Sequence, residues 1–183
     1  MAVDHKIIEE CIAGNRRAQS KLYKKYAAGM LGVCLRYSKN KEEAEDILQD
    51  GFIKVFTNIK KLKDYYAVEG WIKRIMVNTA ITYFKKKKIY FENIDDIEFA
   101  ENTEEEAFYP VDAETLMKVI QHLPIGYRTV LNLYVFESYT HREIANLLGI
   151  SENTSKTQLM KARRHIKSKL LEINKVKTHH LST

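Results

Sequence analysis

Within GWIKRIMVNTAITYFKKKK (70–88), Trp71, Arg74, Asn78, Thr82 and Lys85 recur at three- and four-residue intervals. At about 100° per residue they form one stripe of a helix, with Ile72, Met76, Ala80 and Tyr83 opposite them as a core face. The stripe holds an indole that can stack on a base, a guanidinium that can clamp a phosphate and an amide that can read a base edge. Four consecutive lysines at 85–88 add cationic charge. Just upstream, Tyr65 and Tyr66 lie in KKLKDYYAVE, which reads as a loop. Two adjacent tyrosines there would offer a pocket to a base already out of its duplex, where stacking is worth about 1–3 kcal/mol per base. The chemistry indicated is the binding of unpaired DNA. A plainer alternative makes Trp71 a core anchor and the lysines a solvated helix end.

The C-terminal part carries a second constellation. Thr140-His141-Arg142-Glu143 has the form of a capping box, opening a helix through Ile144, Ala145, Leu147 and Leu148; Gly149 makes a turn and Ser151 caps a longer basic helix. A short helix, a glycine turn and a longer helix are the grammar of a helix-turn-helix, whose last helix enters a major groove. Along it Leu159, Ala162, Ile166 and Leu170 form the packing stripe, leaving Asn153, Lys156, Thr157, Met160, Lys161 and Arg164 outside to reach duplex DNA. A helical hairpin that binds protein instead is the plainer alternative.

A third cluster is acidic: Glu42, Glu43, Glu45, Asp46, Gln49 and Asp50 crowd the first turns of a helix at 41–59. Acids there complement the helix dipole. The alternative reading is a docking surface for a basic partner, because the acids crowd one end of a half that is otherwise cationic. No histidine lies near them in sequence, and no Glu-x-x-His motif completes a metal centre.

Positioning these groups is work for helices. Two prolines and seven glycines in 183 residues, against many Leu, Ile, Ala, Lys and Glu, favour an all-α protein. A first short helix, capped by Asp4, has Ile7, Ile8, Cys11 and Ile12 as its apolar face. A second, at 17–37, buries Leu22, Tyr26, Met30, Val33 and Cys34. The third buries Ala44, Ile47, Leu48, Phe52, Val55, Phe56 and Ile59. After Pro124 a further helix has Val130, Leu131, Leu133, Tyr134 and Phe136 as apolar residues. Cys11 and Cys34 are too few and too far apart for a disulfide framework or zinc site, so two buried thiols and a reducing compartment are expected. With no signal-peptide pattern and no apolar run of spanning length, a cytoplasmic protein is expected.

Charge divides the chain. Residues 1–91 hold 19 basic and 10 acidic groups, 92–117 none and 10, and 118–183 hold 11 and 4. Two basic blocks flank an acidic bridge, as two polyanion-binding domains joined by a segment that avoids the polyanion would require. The expected architecture is two small helical domains, 1–91 and 113–175, joined by an acidic flexible linker at 92–112 and followed by a tail at 176–183.

With both halves read, the sequence resembles a bacterial RNA polymerase sigma factor of the extracytoplasmic-function (ECF) group. AEDILQDGFIKVF (44–56) is similar to the family's polymerase-binding segment and GWIKRIMVNTAITYF (70–84) to its promoter-melting segment. LPIGYRTVLNLYVFESYTHREIANLLGISENTSKTQLMKARRHI (123–166) resembles its upstream-element domain. The resemblance implies that Asp46, Gln49, Asp50 and Phe52 dock on core RNA polymerase. It implies that Tyr65, Tyr66, Trp71, Arg74, Asn78 and Lys85 hold the melted minus-ten strand, and that Asn153, Lys156, Thr157, Met160, Lys161 and Arg164 contact the minus-thirty-five duplex. The acidic linker would thread toward the RNA exit path, and an anti-sigma factor, often membrane-anchored, is an implied partner. Three departures stand out. Ser155 replaces a branched apolar residue, Gln158 a residue that is commonly basic, and Ile81-Thr82 a more polar pair, which puts the upstream and minus-ten preferences in question. No catalysis, cofactor, metal or small-molecule substrate is expected. The alternatives are a stand-alone helix-turn-helix regulator, a carboxylate-dependent enzyme using Glu42, Glu45 and Asp46, and a pure protein-interaction module.

Overall fold

The computed structural model describes residues 5–86 and 111–180, with side chains through 85 and 174. They fall in two compact units that divide between Lys88 and Ile89. The described residues contain helices and no strand.

The N-terminal unit is built from α1 (His5–Ile12), α2 (Arg16–Tyr37), α3 (Lys41–Asn58) and α4 (Val68–Lys86). The expected cap of α1, Asp4, lies outside the described residues. Gly14, at φ +83°, reverses the chain in a region that other residues avoid, and Asn15 then starts α2 by accepting from the amides of Arg17 and Ala18 at 2.9 and 3.3 Å. α3 begins in the same way: Asn40 accepts from Glu43 N at 2.9 Å, while the Glu43 carboxylate accepts from Lys39 N at 3.0 Å. Two short 3-10 turns, Ile59–Lys61 and Tyr65–Ala67, link α3 to α4. The core joins Leu22, Tyr26, Met30 and Cys34 of α2 to Ile47, Phe52 and Val55 of α3 and Ile72, Met76 and Phe84 of α4. Cys11 and Cys34 are both free and buried, and burial pushes the Cys34 thiol up to about 12.

α3 and α4 approach closely at Gly51, where an added Cβ would collide with Met76 Sδ. Met76 is itself 1% exposed and has no solvent to swing into. Gly51→Ala is therefore expected to lower stability by about 1–2 kcal/mol, although alanine raises helix propensity by ~1 kcal/mol. Urea unfolding followed by the fluorescence of Trp71, the one tryptophan, checks it; an unchanged or raised midpoint would mean that α3 and α4 can part at this point.

The C-terminal unit contains α5 (Ala113–His122), α6 (Ile125–Val135), α7 (His141–Leu148) and α8 (Glu152–His180). Asp112 caps α5 by accepting from Thr115 N at 2.7 Å. α6 is buried along most of its length and is packed by α7 and α8. Of the apolar residues noted after Pro124, Val130, Leu131 and Leu133 are buried, whereas Tyr134 and Phe136 are exposed. Arg128, Thr129 and Asn132 are inside instead. The Arg128 guanidinium can be there because Nη1 donates to the Gln121 carbonyl in the last turn of α5, where a cation complements the helix dipole. α8 continues to His180, through much of the stretch expected to be a tail. Of the acidic linker, 92–110 lies outside the described residues.

Candidate nucleic-acid interface

On α4 the helical period separates the two faces cleanly. Arg74, Asn78, Thr82 and Lys85 are exposed and Trp71 is half-buried. The inner face is broader than the sequence implied, because Val77, Thr79, Ile81 and Phe84 are buried beside Ile72, Met76 and Ala80, while Tyr83 is only half-buried. Two hydrogen bonds sharpen the division. Thr79 accepts from Lys54 Nζ at 3.0 Å, tying α4 to α3, and Thr82 Oγ1 donates to the Asn78 carbonyl at 2.8 Å, which keeps the threonine on its own helix. Ile81 is thus a core residue and not part of the polar stripe.

Immediately before α4, Asp64 accepts from Tyr66 N at 2.9 Å and fixes the turn that carries the two tyrosines. Tyr65 is half-buried and Tyr66 is 78% exposed. A third ring joins them. His5, from the start of α1, lies with its ring centroid 4.7 Å from that of Tyr66 and 5.4 Å from that of Tyr65, inclined at 72° and 86°. Sequence reasoning missed His5, since sixty residues separate it from the tyrosines and no local pattern marks it.

The acidic cluster of α3 is sorted by its contacts. Glu43 is taken up in capping, and Glu45 pairs with Lys41 at 3.5 Å. Asp46, Gln49 and Asp50 remain exposed on one stripe. Phe52 does not join them. It is 3% exposed and packs its ring against Tyr23 (4.7 Å) and Phe56 (5.9 Å), so its role is in the core. The apolar group beside the acids is Ile53, which is 63% exposed. The signal that finds it is spacing, because Ile53 stands three residues after Asp50, four after Gln49 and seven after Asp46. Among the described residues no group of three His, Cys, Asp or Glu converges to hold a metal, and no helix is long and apolar enough to cross a membrane.

In the C-terminal unit Thr140 and Glu143 form the full capping box of α7, and Gly149 ends it at φ +76°. Ser151 then caps α8, accepting from Thr154 N at 2.9 Å. The outward stripe of α8 is as expected: Asn153, Lys156, Thr157, Met160 and Arg164 are exposed, and Lys161 is half-exposed. Lys156 forms a surface pair with Glu152 at 2.9 Å. Ser155 and Gln158 point inward. Ser155 is fully buried with Oγ 2.9 Å from His141 Nδ1, and Gln158 packs over Gly126 of α6, where a Cβ would lie 3.1 Å from its amide. These two departures therefore act on how the helices of the motif pack, not on direct contact with bases. His141 also stacks on Tyr134 (4.7 Å, 23°), over which Arg163 lies at 5.9 Å. Burial first, and then the Lys156 charge, hold its pKa below the ordinary histidine value, which favours the neutral ring in this layer.

Comparison with known proteins identifies the family. The sigma-70 region 2 model matches residues 22–89 and the sigma-70 region 4 model residues 113–166. The chain is 31% identical over 131 residues to the RNA polymerase sigma factor SigV of Bacillus subtilis, covering 71% of this chain and 77% of that one. It is 26% identical over 176 residues to the RNA polymerase sigma-H factor of Pseudomonas aeruginosa, covering 89% and 91%. To the ECF RNA polymerase sigma factor SigM of B. subtilis it is 28% identical over 150 residues, covering 80% and 91%. The chain, with region 2 in its first helical unit and region 4 in its second, belongs to the sigma-70 family in the ECF group, as a sigma factor that binds core RNA polymerase, directs it to promoters and promotes DNA melting.

Proposed function

We propose that the exposed stripes divide the work of initiation by helix. On α3, Asp46, Gln49 and Asp50, with Ile53 in place of Phe52, dock on a basic surface of core polymerase. Tyr65, Tyr66, Trp71, Arg74, Asn78 and Lys85 hold the unpaired minus-ten strand, and Asn153, Lys156, Thr157, Met160, Lys161 and Arg164 read the minus-thirty-five duplex. The observation that carries this reading is the polar stripe of α4, where a guanidinium and an amide stand outward beside a half-buried indole, over a closed apolar face. Met160, 45% exposed on a groove-entering helix, suits contact with a thymine methyl. Residues 1–91 and 113–175 act as the two DNA-binding domains, with the acidic segment at 92–112 threading the polymerase between them. The protein works in the cytoplasm without catalysing a reaction, and an anti-sigma factor that masks these faces is the inferred regulator.

The test is reconstitution of the chain with core polymerase on a library of genomic fragments, with run-off transcripts mapped to their starts. Starts sharing two spaced upstream motifs are expected. Trp71→Ala is then expected to cut open-complex formation about tenfold, the value of one lost stacking contact, while leaving binding to the duplex upstream element unchanged. Permanganate reactivity and a duplex-binding assay separate the two quantities. Equal losses in both would contradict the division.

A further inference from the structure

We propose that His5 is a specificity-determining residue for the unpaired strand: its ring completes a three-ring cluster with Tyr65 and Tyr66 and selects the base that stacks there. This rests on the assignment of the two tyrosines to the melted element proposed above. His5 is held by the fold. Ile8 and Cys11, on the next turns of α1, are 0% and 2% exposed, and α1 also packs on the turn Ile59–Lys61 that leads into the tyrosine loop. The first residue of α1 is thereby delivered to the second and third residues after Lys63, with centroids 4.7 and 5.4 Å away.

The geometry suits recognition better than packing. A ring added to finish a core would cover its neighbours, yet Tyr66 remains 78% exposed beside a histidine that is also exposed. The imidazole stands steeply inclined to both tyrosine rings, an edge-to-face arrangement that braces them and leaves ring surface open. A tyrosine face stacks on any base and so supplies affinity with little preference. The imidazole adds two ring nitrogens that can form hydrogen bonds with some base edges and not with others. Lys60, Lys61 and Lys63, all exposed in the same loop, bring the phosphates to the cluster. Stacking and charge hold the strand, and His5 discriminates.

The experiment uses holoenzyme reconstituted from the full chain and core polymerase, with a pool of short single-stranded oligonucleotides randomised over the minus-ten element and sequenced after selection. Wild type is expected to enrich one base at the position seated on the tyrosines. His5→Ala should flatten that preference about fivefold, the value of one hydrogen bond, with polymerase affinity unchanged. His5→Phe keeps the ring and should retain affinity for the pool while losing the preference. His5→Asn, which can place an amide near the imidazole Nδ1, should recover part of it. An unchanged enrichment profile in His5→Ala overturns the proposal. So does a lost preference that comes with a lower thermal midpoint in every variant, since His5 would then only anchor α1. A wild-type holoenzyme that assembles but enriches no base overturns the assignment of Tyr65 and Tyr66 itself.

Discussion

Arg128→Ala is expected to remove about 3 kcal/mol from the stability of the C-terminal unit. Arg128 is the largest fully buried side chain in the described residues, at 0% exposure, and it links α6 to the last turn of α5 through the Gln121 carbonyl. Truncation empties the volume of its long stem and removes its hydrogen bond to that part-buried carbonyl. Arg128→Met should cost much less, because an apolar chain of similar length fills the space and no buried charge then has to be solvated by the protein. Urea unfolding of the full chain by far-ultraviolet circular dichroism reads the effect. Trp71 fluorescence reports the other unit and should keep its midpoint. If alanine and methionine cost the same, the guanidinium is the stabilising element and packing of the stem is secondary.

The second large effect is on assembly with polymerase. Asp46→Lys combined with Asp50→Lys is expected to weaken the complex at least a hundredfold, since two attractive charges become repulsive on a surface proposed to meet a basic partner. Ile53→Asp alone should cost about 2 kcal/mol in binding, the scale of an interface hot spot. None of the three changes should alter the melting of the free chain, because all three residues are exposed. Phe52→Leu should do the reverse: it lowers stability through the contacts with Tyr23 and Phe56 and leaves assembly intact below the melting temperature. Competition for core polymerase against a labelled wild-type chain measures each. Normal assembly by Ile53→Asp would remove α3 as the docking stripe.

Most of the framework was readable because helices announce their buried faces by spacing. Leu22, Tyr26, Met30 and Cys34 on α2, and Ile47, Leu48 and Val55 on α3, are inside as their intervals require. Caps were equally legible, since Thr140 with Glu143 needs no tertiary partner to be recognised. Spacing placed Phe52 on the buried face of α3, where it is found, and only the resemblance gave it a docking role; Ile53, the exposed apolar neighbour, was not singled out. Arg128, Ser155 and Gln158 are polar residues that become interior only because a partner from another helix meets them: the Gln121 carbonyl, His141, and the bare Cα of Gly126. His5 is the extreme case, a candidate site residue delivered by a helix that the motif does not include.

In the N-terminal unit α1 packs on α2, α2 on α3 and α3 on α4, so most of its contacts join neighbours in the chain. Helical units dominated by local contacts fold in microseconds to milliseconds. A ribosome adds roughly 5–20 residues each second, so residues 89–183 require on the order of 5–20 s to make once the first unit has been synthesised. The helix carrying Asp46, Gln49, Asp50 and Ile53 is therefore expected to reach its final form on a nascent chain whose α8 does not yet exist. A partner that recognises the first unit alone could capture this protein during translation, before it is able to recognise an upstream promoter element.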